Sequence, residues 1–233
     1  MRKKPIALVG YRSGLDLLVD IADELGVEIV GIFDKYFFGN TEQIDGIPFI
    51  GNEELISESD INKYDFLLAS GWAGHSNIKN LEHNGDNLRK RRIRIFRERN
   101  LPMANLISPS AFISSKTFVG NSVVIARDCY IRAKSHISDF CYLDSGSAVA
   151  HDVRLGENVI MTPYTFVAGH IHIGDNVMIG AGSMVVNSYP DRALEIGADV
   201  KIMAGTTVMR DVPSGKFVHS SGKILRRLDL KKE

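Results

Sequence analysis

The chain is poor in what would mark most specialised classes of protein. Only Cys129 and Cys141 are present among 233 residues, too few for a disulfide-stapled scaffold. Each lies two residues before an aliphatic position (Ile131 and Leu143), in a slot that elsewhere holds Ala111, Thr117, Ser135 and Ser147. We read both as small core residues rather than a disulfide or metal pair. There is no excess of either charge: 28 Lys plus Arg balance 28 Asp plus Glu, which argues against nucleic acid as a main partner. No apolar run approaches the roughly 20 residues that span a bilayer, so no membrane partner is expected. The start, basic to Lys4 and apolar from Pro5 to Val9, has too short an apolar part for a secretory leader, and no small-residue cleavage site follows. We expect a buried first strand there, reduced thiols and a cytoplasmic protein.

What is present is a period of six. Ile107, Ile113, Val119, Ile125, Ile131, Ile137, Leu143, Val149, Leu155, Met161, Val167, Ile173, Ile179 and Val185 are all aliphatic. At 44% hydrophobic content, chance gives such a run about once in a hundred thousand tries, so the pattern is structural. The spacing breaks by eleven and resumes at Ile196, Ile202 and Val208. Six fits neither a helix nor an alternating strand. It fits a hexapeptide parallel β-helix, with one aliphatic side chain per short strand pointing into a three-sided prism. Three hexads make a rung, so residues 18 apart stack. Seventeen anchors give between five and six rungs, residues 187–195 protrude as a loop, and the tail after Val208 leaves the repeat, with a short helix expected over 224–230.

Residues 1–105 follow another pattern. A short apolar strand from Pro5 to Val9 ends at Gly10; Ser13 is a plausible N-cap for a helix through Leu25, stopped by Gly26. A second strand covers 27–33 and ends at Asp34, a third covers 65–69, and Asp86 can cap a helix through Arg99. This β-α-β opening implies a small Rossmann-like parallel sheet with flanking helices. The Gly-Tyr-Arg-Ser-Gly turn at 10–14 can offer backbone N–H groups to a phosphate at a helix N-terminus, with Arg12 adding charge, and Asp34 stands where such domains bind ribose or base. A tight structural turn explains the same residues, and the full Gly-x-Gly-x-x-Gly pattern is missing, which argues against a dinucleotide. The basic run Arg89, Lys90, Arg91, Arg92, Arg94, Arg97 and Arg99 reads as a solvated helix face in preference to a phosphate clamp.

His151-Asp152 follows the inward Val149, near a prism corner. A neutral imidazole there can take the proton an amine loses as it attacks a thioester, and a neighbouring carboxylate can hold the tautomer. An exposed corner histidine without a role is the alternative. His170 and His172 lie about one rung further on; a zinc site across rungs is the less favoured reading, because a third histidine is hard to place.

Taken together, residues 10–14, Val-Gly-Ile-Phe-Asp at 30–34, Gly-Ile-Pro-Phe-Ile-Gly at 46–51, Asn-Leu-Ile-Ser-Pro-Ser-Ala at 105–111, Val-Ala-His-Asp at 149–152 and the hexads at 173–183 resemble the sugar O-acyltransferase family. That family is typified by sialic acid O-acetyltransferases and UDP-4-amino-sugar N-acetyltransferases, and the resemblance covers nearly the whole chain. It implies a left-handed β-helix (residues 106–233) behind a Rossmann-like nucleotide-sugar domain (1–105), assembled as a homotrimer with active sites between subunits. It implies His151 as catalytic base with Asp152 beside it. It places acetyl-CoA, as co-substrate and with no metal, against Ile160, Gly169, Ala181, Ala204 and Gly205; some members carry a CoA-contacting histidine where Ile160 stands. It places the nucleotide-sugar at Gly10, Arg12, Ser13, Asp34, Lys35 and Ile50. The chain departs from the family at Gly14-Leu15, where Gly-His is frequent, at 219–223, and in a longer 71–85 segment holding Trp72 and His75. The expected activity is acetyl transfer to the amine of a nucleotide-linked amino-sugar in bacterial surface-glycan synthesis. Acetylation of a sugar hydroxyl, a zinc hexapeptide enzyme of the carbonic-anhydrase type and a non-catalytic nucleotide-sugar binder are the rivals.

Overall fold

A computed structural model describes residues 4–11, 14–69, 85–221 and 223–226, without the side chains of 85–87 and 225–226. The chain divides into two compact units, Met1–Leu106 and Ile107–Glu233.

The first unit is built on a five-stranded sheet of order β3-β4-β2-β1-β5. Its elements are β1 (Ile6–Val9), α1 (Leu15–Leu25), β2 (Ile29–Phe33), β3 (Gln43–Ile44), β4 (Ile47–Gly51), α2 (Glu58–Lys63), β5 (Asp65–Leu68) and α3 (Gly85–Glu98). β1 pairs in parallel with β2 and β5, and β2 with β4; only the β3–β4 hairpin is antiparallel. All four residues of β1 are buried, as an unbroken apolar run requires of a central strand. α1 buries Leu15, Leu18, Ile21 and Ala22 at helical spacing, and Gly26 closes it in the left-handed conformation. Its N-cap is Gly14, without a side-chain cap; Ser13, expected in that role, lies outside the described residues, as do Arg12 and the 71–84 segment with Trp72, His75 and His83. α3 already begins at Gly85, so Asp86 sits in its first turn and not at its cap. α2 went unforeseen, although Ser57 and Asp60 form a reciprocal capping box, each side chain accepting from the other's backbone N–H.

The second unit is the expected three-sided parallel β-helix. One face stacks Phe112–Ile113, Tyr130–Ile131, Ala148–Val149, Phe166–Val167, Met184–Val185 and Thr207–Val208. A second stacks Phe118–Val119, His136–Ile137, Arg154–Leu155, Ile171–Ile173 and Leu194–Ile196. The third carries Val124–Ile125, Tyr142–Leu143, Ile160–Met161, Met178–Ile179, Lys201–Ile202 and Lys216–Val218. Partners are 18 residues apart until Ile171 pairs with Leu194, where the insertion adds five. The anchors from Ile125 to Ile202 form one continuous buried column. Cys129 and Cys141 are free and buried in it, and burial pushes the Cys129 thiol up to about 11.

The tail departs from expectation. Lys216–Val218 continues the third face, and Ile224–Arg226 returns antiparallel to it, a strand where a helix was expected; residues 227–230 are outside the described set. Ile224 pairs with Val218 and Leu225 with Phe217, so the open edge of that face, rather than local helix preference, sets the conformation.

Rung corners need a residue in the left-handed conformation, and here most are not glycine: Asp128, Lys134, Phe140, Asp152, Asn158, Tyr164, His170, Asn176 and Asp199 all have φ between 58° and 63° or close to it, His170 at 56°. Asn and Asp tolerate this region best. Side-chain ladders offset the cost, as where Asn158 Nδ2 donates to Asn176 Oδ1 at 2.9 Å one rung on.

Candidate active site

His151 and Asp152 occupy a β-helix corner just after the inward Val149. His151 Nδ1 lies 2.9 Å from Asp152 Oδ2. An ionised carboxylate only accepts, so Nδ1 donates, and the Nε2 lone pair is left to take a proton. The imidazole is 42% exposed, accessible to a reactant without being free to wander. The hydrogen bond from His151, helped by the charges of Lys134 and His170, holds the Asp152 carboxyl below the usual carboxylate range. The carboxylate therefore stays ionised to lower pH than a free one does.

The next rung fixes the ring from above. A Cβ at Gly169 would stand 2.8 Å from His151 Cε1 and 3.0 Å from Nε2. Only a bare Cα lets the imidazole lie there. The His170 N–H donates to His151 O at 3.2 Å, and the two rings meet edge to face with centroids 5.2 Å apart. His170 is in turn tied to the inserted loop, because its carbonyl accepts from Leu194 N and Asn187 Nδ2. Arg192 braces that loop through a bidentate pair with Asp211 and by stacking 3.5 Å over Tyr189. His172, two residues further along, is committed elsewhere: its Nδ1 lies 2.9 Å from Glu195 Oε1. Of the two histidines that the sequence places about one rung on, the corner geometry brings His170 to His151.

Of the residues expected to line an acetyl-CoA groove, Ala181, Ala204 and Gly205 are exposed on successive rungs, linked by Gly205 N donating to Ala181 O at 2.8 Å. Gly169 lies against His151. Ile160 does not share their exposure: it is 6% exposed, so its side chain offers a ligand little surface.

In the first unit the expected nucleotide residues are drawn into an ion network. Arg92, expected on a solvated face, is 1% exposed; its Nη2 donates to Asp34 Oδ2 at 2.7 Å and its Nε to Glu53 Oε1 at 3.1 Å. Asp34 is equally buried, and it also accepts from the N–H groups of Tyr11 and Tyr36. Its two oxygens thus accept three hydrogen bonds inside the protein. Gly10 is a glycine for the same reason, since a Cβ there would meet Arg92 Nη1 at 2.2 Å, and its N–H donates to Phe33 O. Lys35 donates its backbone N–H to Glu53 and reaches Glu54 with Nζ at 3.4 Å. Arg91 also pairs with Glu54, and Arg99 donates to the carbonyls of Ile56 and Glu54. Ile50 is half-buried on β4 and packs across the bare Cα of Gly31. Sequence reasoning missed Glu53 entirely; a buried partner for one arginine in a basic run leaves no spacing signal.

The architecture, a hexapeptide β-helix following a small α/β unit along the chain, is shared with solved acetyltransferases. PerB from Caulobacter crescentus, solved with CoA and GDP-perosamine, superposes with a TM-score of 0.78 over 95% of this chain and 97% of its own, at 23% identity. The acetyltransferase domain of PglB from Neisseria gonorrhoeae, in complex with acetyl coenzyme A, gives 0.78 over 93% and 96%, at 21% identity. Among curated sequences, the chain is 30% identical to GDP-perosamine N-acetyltransferase of Escherichia coli O157:H7 over 107 residues, 46% of this chain and 48% of that protein. It is 27% identical to the bifunctional protein GlmU of Baumannia cicadellinicola over 194 residues, 80% of this chain and 36% of that one. The chain thus spans about half the length, or less, of these curated relatives. No family model matches it. The PerB and PglB acetyltransferase structures are consistent with the resemblance that the sequence carries.

Proposed function

We propose that the chain is an acetyl-CoA-dependent N-acetyltransferase that acts on the amine of a nucleotide-linked amino-sugar, in the cytoplasm, for bacterial surface-glycan synthesis. The observation that carries this reading is the His151–Asp152 pair, with Nε2 free of the carboxylate and the ring set by Gly169. The amine nitrogen attacks the thioester carbonyl, and its proton passes to His151 Nε2. Collapse of the tetrahedral intermediate breaks the C–S bond, and the imidazolium returns the proton to the departing thiolate. The Gly169 N–H is the candidate oxyanion donor. Acetyl-CoA lies along the exposed Ala181, Ala204 and Gly205, and the α/β unit holds the nucleotide. Its phosphate contacts fall to the 10–14 turn, since Asp34 is already paired.

The assembly proposed is a homotrimer. The outward positions of one β-helix face, Phe112, Tyr130, Phe166 and Met184, are between 36% and 51% exposed, and Phe112 stacks on Tyr130 at 4.8 Å. Such a continuous apolar row favours a covering partner, and a second copy supplies one. The names of the relatives support an amino-sugar acceptor, with GDP-perosamine as the first compound to try. Thiol release from acetyl-CoA with GDP-, UDP- and dTDP-linked amino-sugars, set beside sugars with a hydroxyl in place of the amine, tests the reading. Release with an amino-sugar alone supports it. Release only with hydroxyl acceptors moves the activity to O-acetylation, and none across the panel removes the proposal.

A further inference from the structure

We propose that His151, Asp152 and His170 form a binding site for a divalent transition-metal ion, zinc being the best fit, and that filling it silences the His151 imidazole. One ligand atom from each residue can be chosen so that all three lie within 4.8 Å of one another. Tetrahedral zinc, with ligand bonds of about 2.0–2.2 Å, holds its ligands roughly 3.4 Å apart. Rotation of side chains that are already partly exposed covers the difference. Two imidazoles and one carboxylate suit zinc and disfavour magnesium or calcium, which prefer all-oxygen shells. Three protein ligands at an exposed corner leave the fourth position to water.

The backbone holds the set together without a metal. His170 N donates to His151 O, which locks the two rungs in register. The His170 carbonyl is clamped by Asn187 and Leu194, so the inserted loop fixes the second imidazole over the first. Asp152 and His170 occupy equivalent left-handed corners one rung apart, at φ 58° and 56°. Lys134, which occupies the same corner a rung below, is the one nearby cation among the charges acting on Asp152 that opposes a metal, apart from the two histidines themselves. A metal on either ring nitrogen of His151 leaves the hydrogen on the other, so the imidazole keeps no lone pair for proton abstraction. That consequence rests on the acyltransfer reading; the binding site does not.

Metal-stripped full-length protein is titrated with Zn2+ against a chromophoric chelator. One zinc per chain is expected. His170→Gln should weaken it by more than the roughly 10–100-fold that loss of a mere supporting partner costs. His172→Gln, whose ring is paired with Glu195, should leave it unchanged. Circular dichroism checks that both variants fold. Failure of the wild type to bind zinc, or equal binding by His170→Gln, overturns the site. Thiol release is then followed as the site fills, and should fall in step with occupancy, with the midpoint shifted in His170→Gln. Turnover indifferent to a filled site overturns the silencing. Zinc bound as expected by a protein with no acyltransfer at any zinc level leaves the site standing and removes the functional reading instead.

Discussion

Replacing Gly169 by alanine adds one methyl group, and the structure says where it goes. The new Cβ would stand 2.8, 3.0 and 3.2 Å from His151 Cε1, Nε2 and Nδ1. Ordinary carbon contacts lie at about 3.5–4.0 Å, so the ring or the rung must shift by roughly 0.5–1 Å. The β-helix backbone is tied on both sides by ladder bonds such as Ala168 N to Val185 O at 2.9 Å, whereas the imidazole is 42% exposed; the ring is the part that yields. Its 2.9 Å bond to Asp152 then breaks or tilts. A misplacement of about 1 Å at a reacting group can cost 10²-fold. We expect Gly169→Ala to lose about 10²-fold in kcat for thiol release with the best acceptor, with a far smaller change in the acetyl-CoA KM and unchanged thermal unfolding. Activity within about twofold of wild type would show that the ring's placement does not matter, and would refute the reasoning.

Asp152→Asn should lower kcat by about 10- to 10²-fold, short of the 10⁴-fold seen when a buried triad aspartate is changed, because this carboxylate is 34% exposed. Asp152 has its carboxyl held low by His151, so its pairing is complete above the usual carboxylate range and lost only as pH falls through the lowered value; the acid limb of the wild-type rate profile should therefore not come from Asp152. Arg92→Met leaves Asp34 and Glu53 buried without their cation and should cost the first unit about 3–5 kcal/mol, read as a lowered urea midpoint. Tyr130→Asp, in the middle of the exposed aromatic row, should shift sedimentation from trimer to monomer without unfolding the β-helix, whose core it does not enter.

The β-helix was legible because its signal is both periodic and redundant. Each inward aliphatic from Ile125 to Ile202 reports the same geometry, and the break of eleven announced the loop that the structure places between Val185 and Leu194. His151 and Asp152 were legible only through the resemblance, since a His-Asp dipeptide has no spacing of its own to read. The first unit shows why charge is harder. Arg92, Asp34 and Glu53 are 39 to 58 residues apart in their pairings, so nothing local distinguishes a buried arginine from its solvated neighbours on the same helix. The same long-range pairing sets Asp34 and Gly10, both expected as ligand contacts, against that guanidinium. The tail failed for a different reason: Ile224 to Arg226 lacks the hexad phase, and its pairing with Lys216–Val218 is decided by the sheet edge it finds. The sequence left His170 and His172 undecided because counting by 18 lands on residue 169; the left-handed corner at residue 170 is what turns its side chain onto His151.

The central claim is that the His151 imidazole accepts the acceptor's proton during acetyl transfer. Its most direct test is the single-turnover rate of thiol release by His151→Ala against wild type, with both proteins shown by circular dichroism to be folded alike. The account predicts a loss of about 10²- to 10⁴-fold, the contribution of a positioned general base. An equal rate in the two proteins would contradict it.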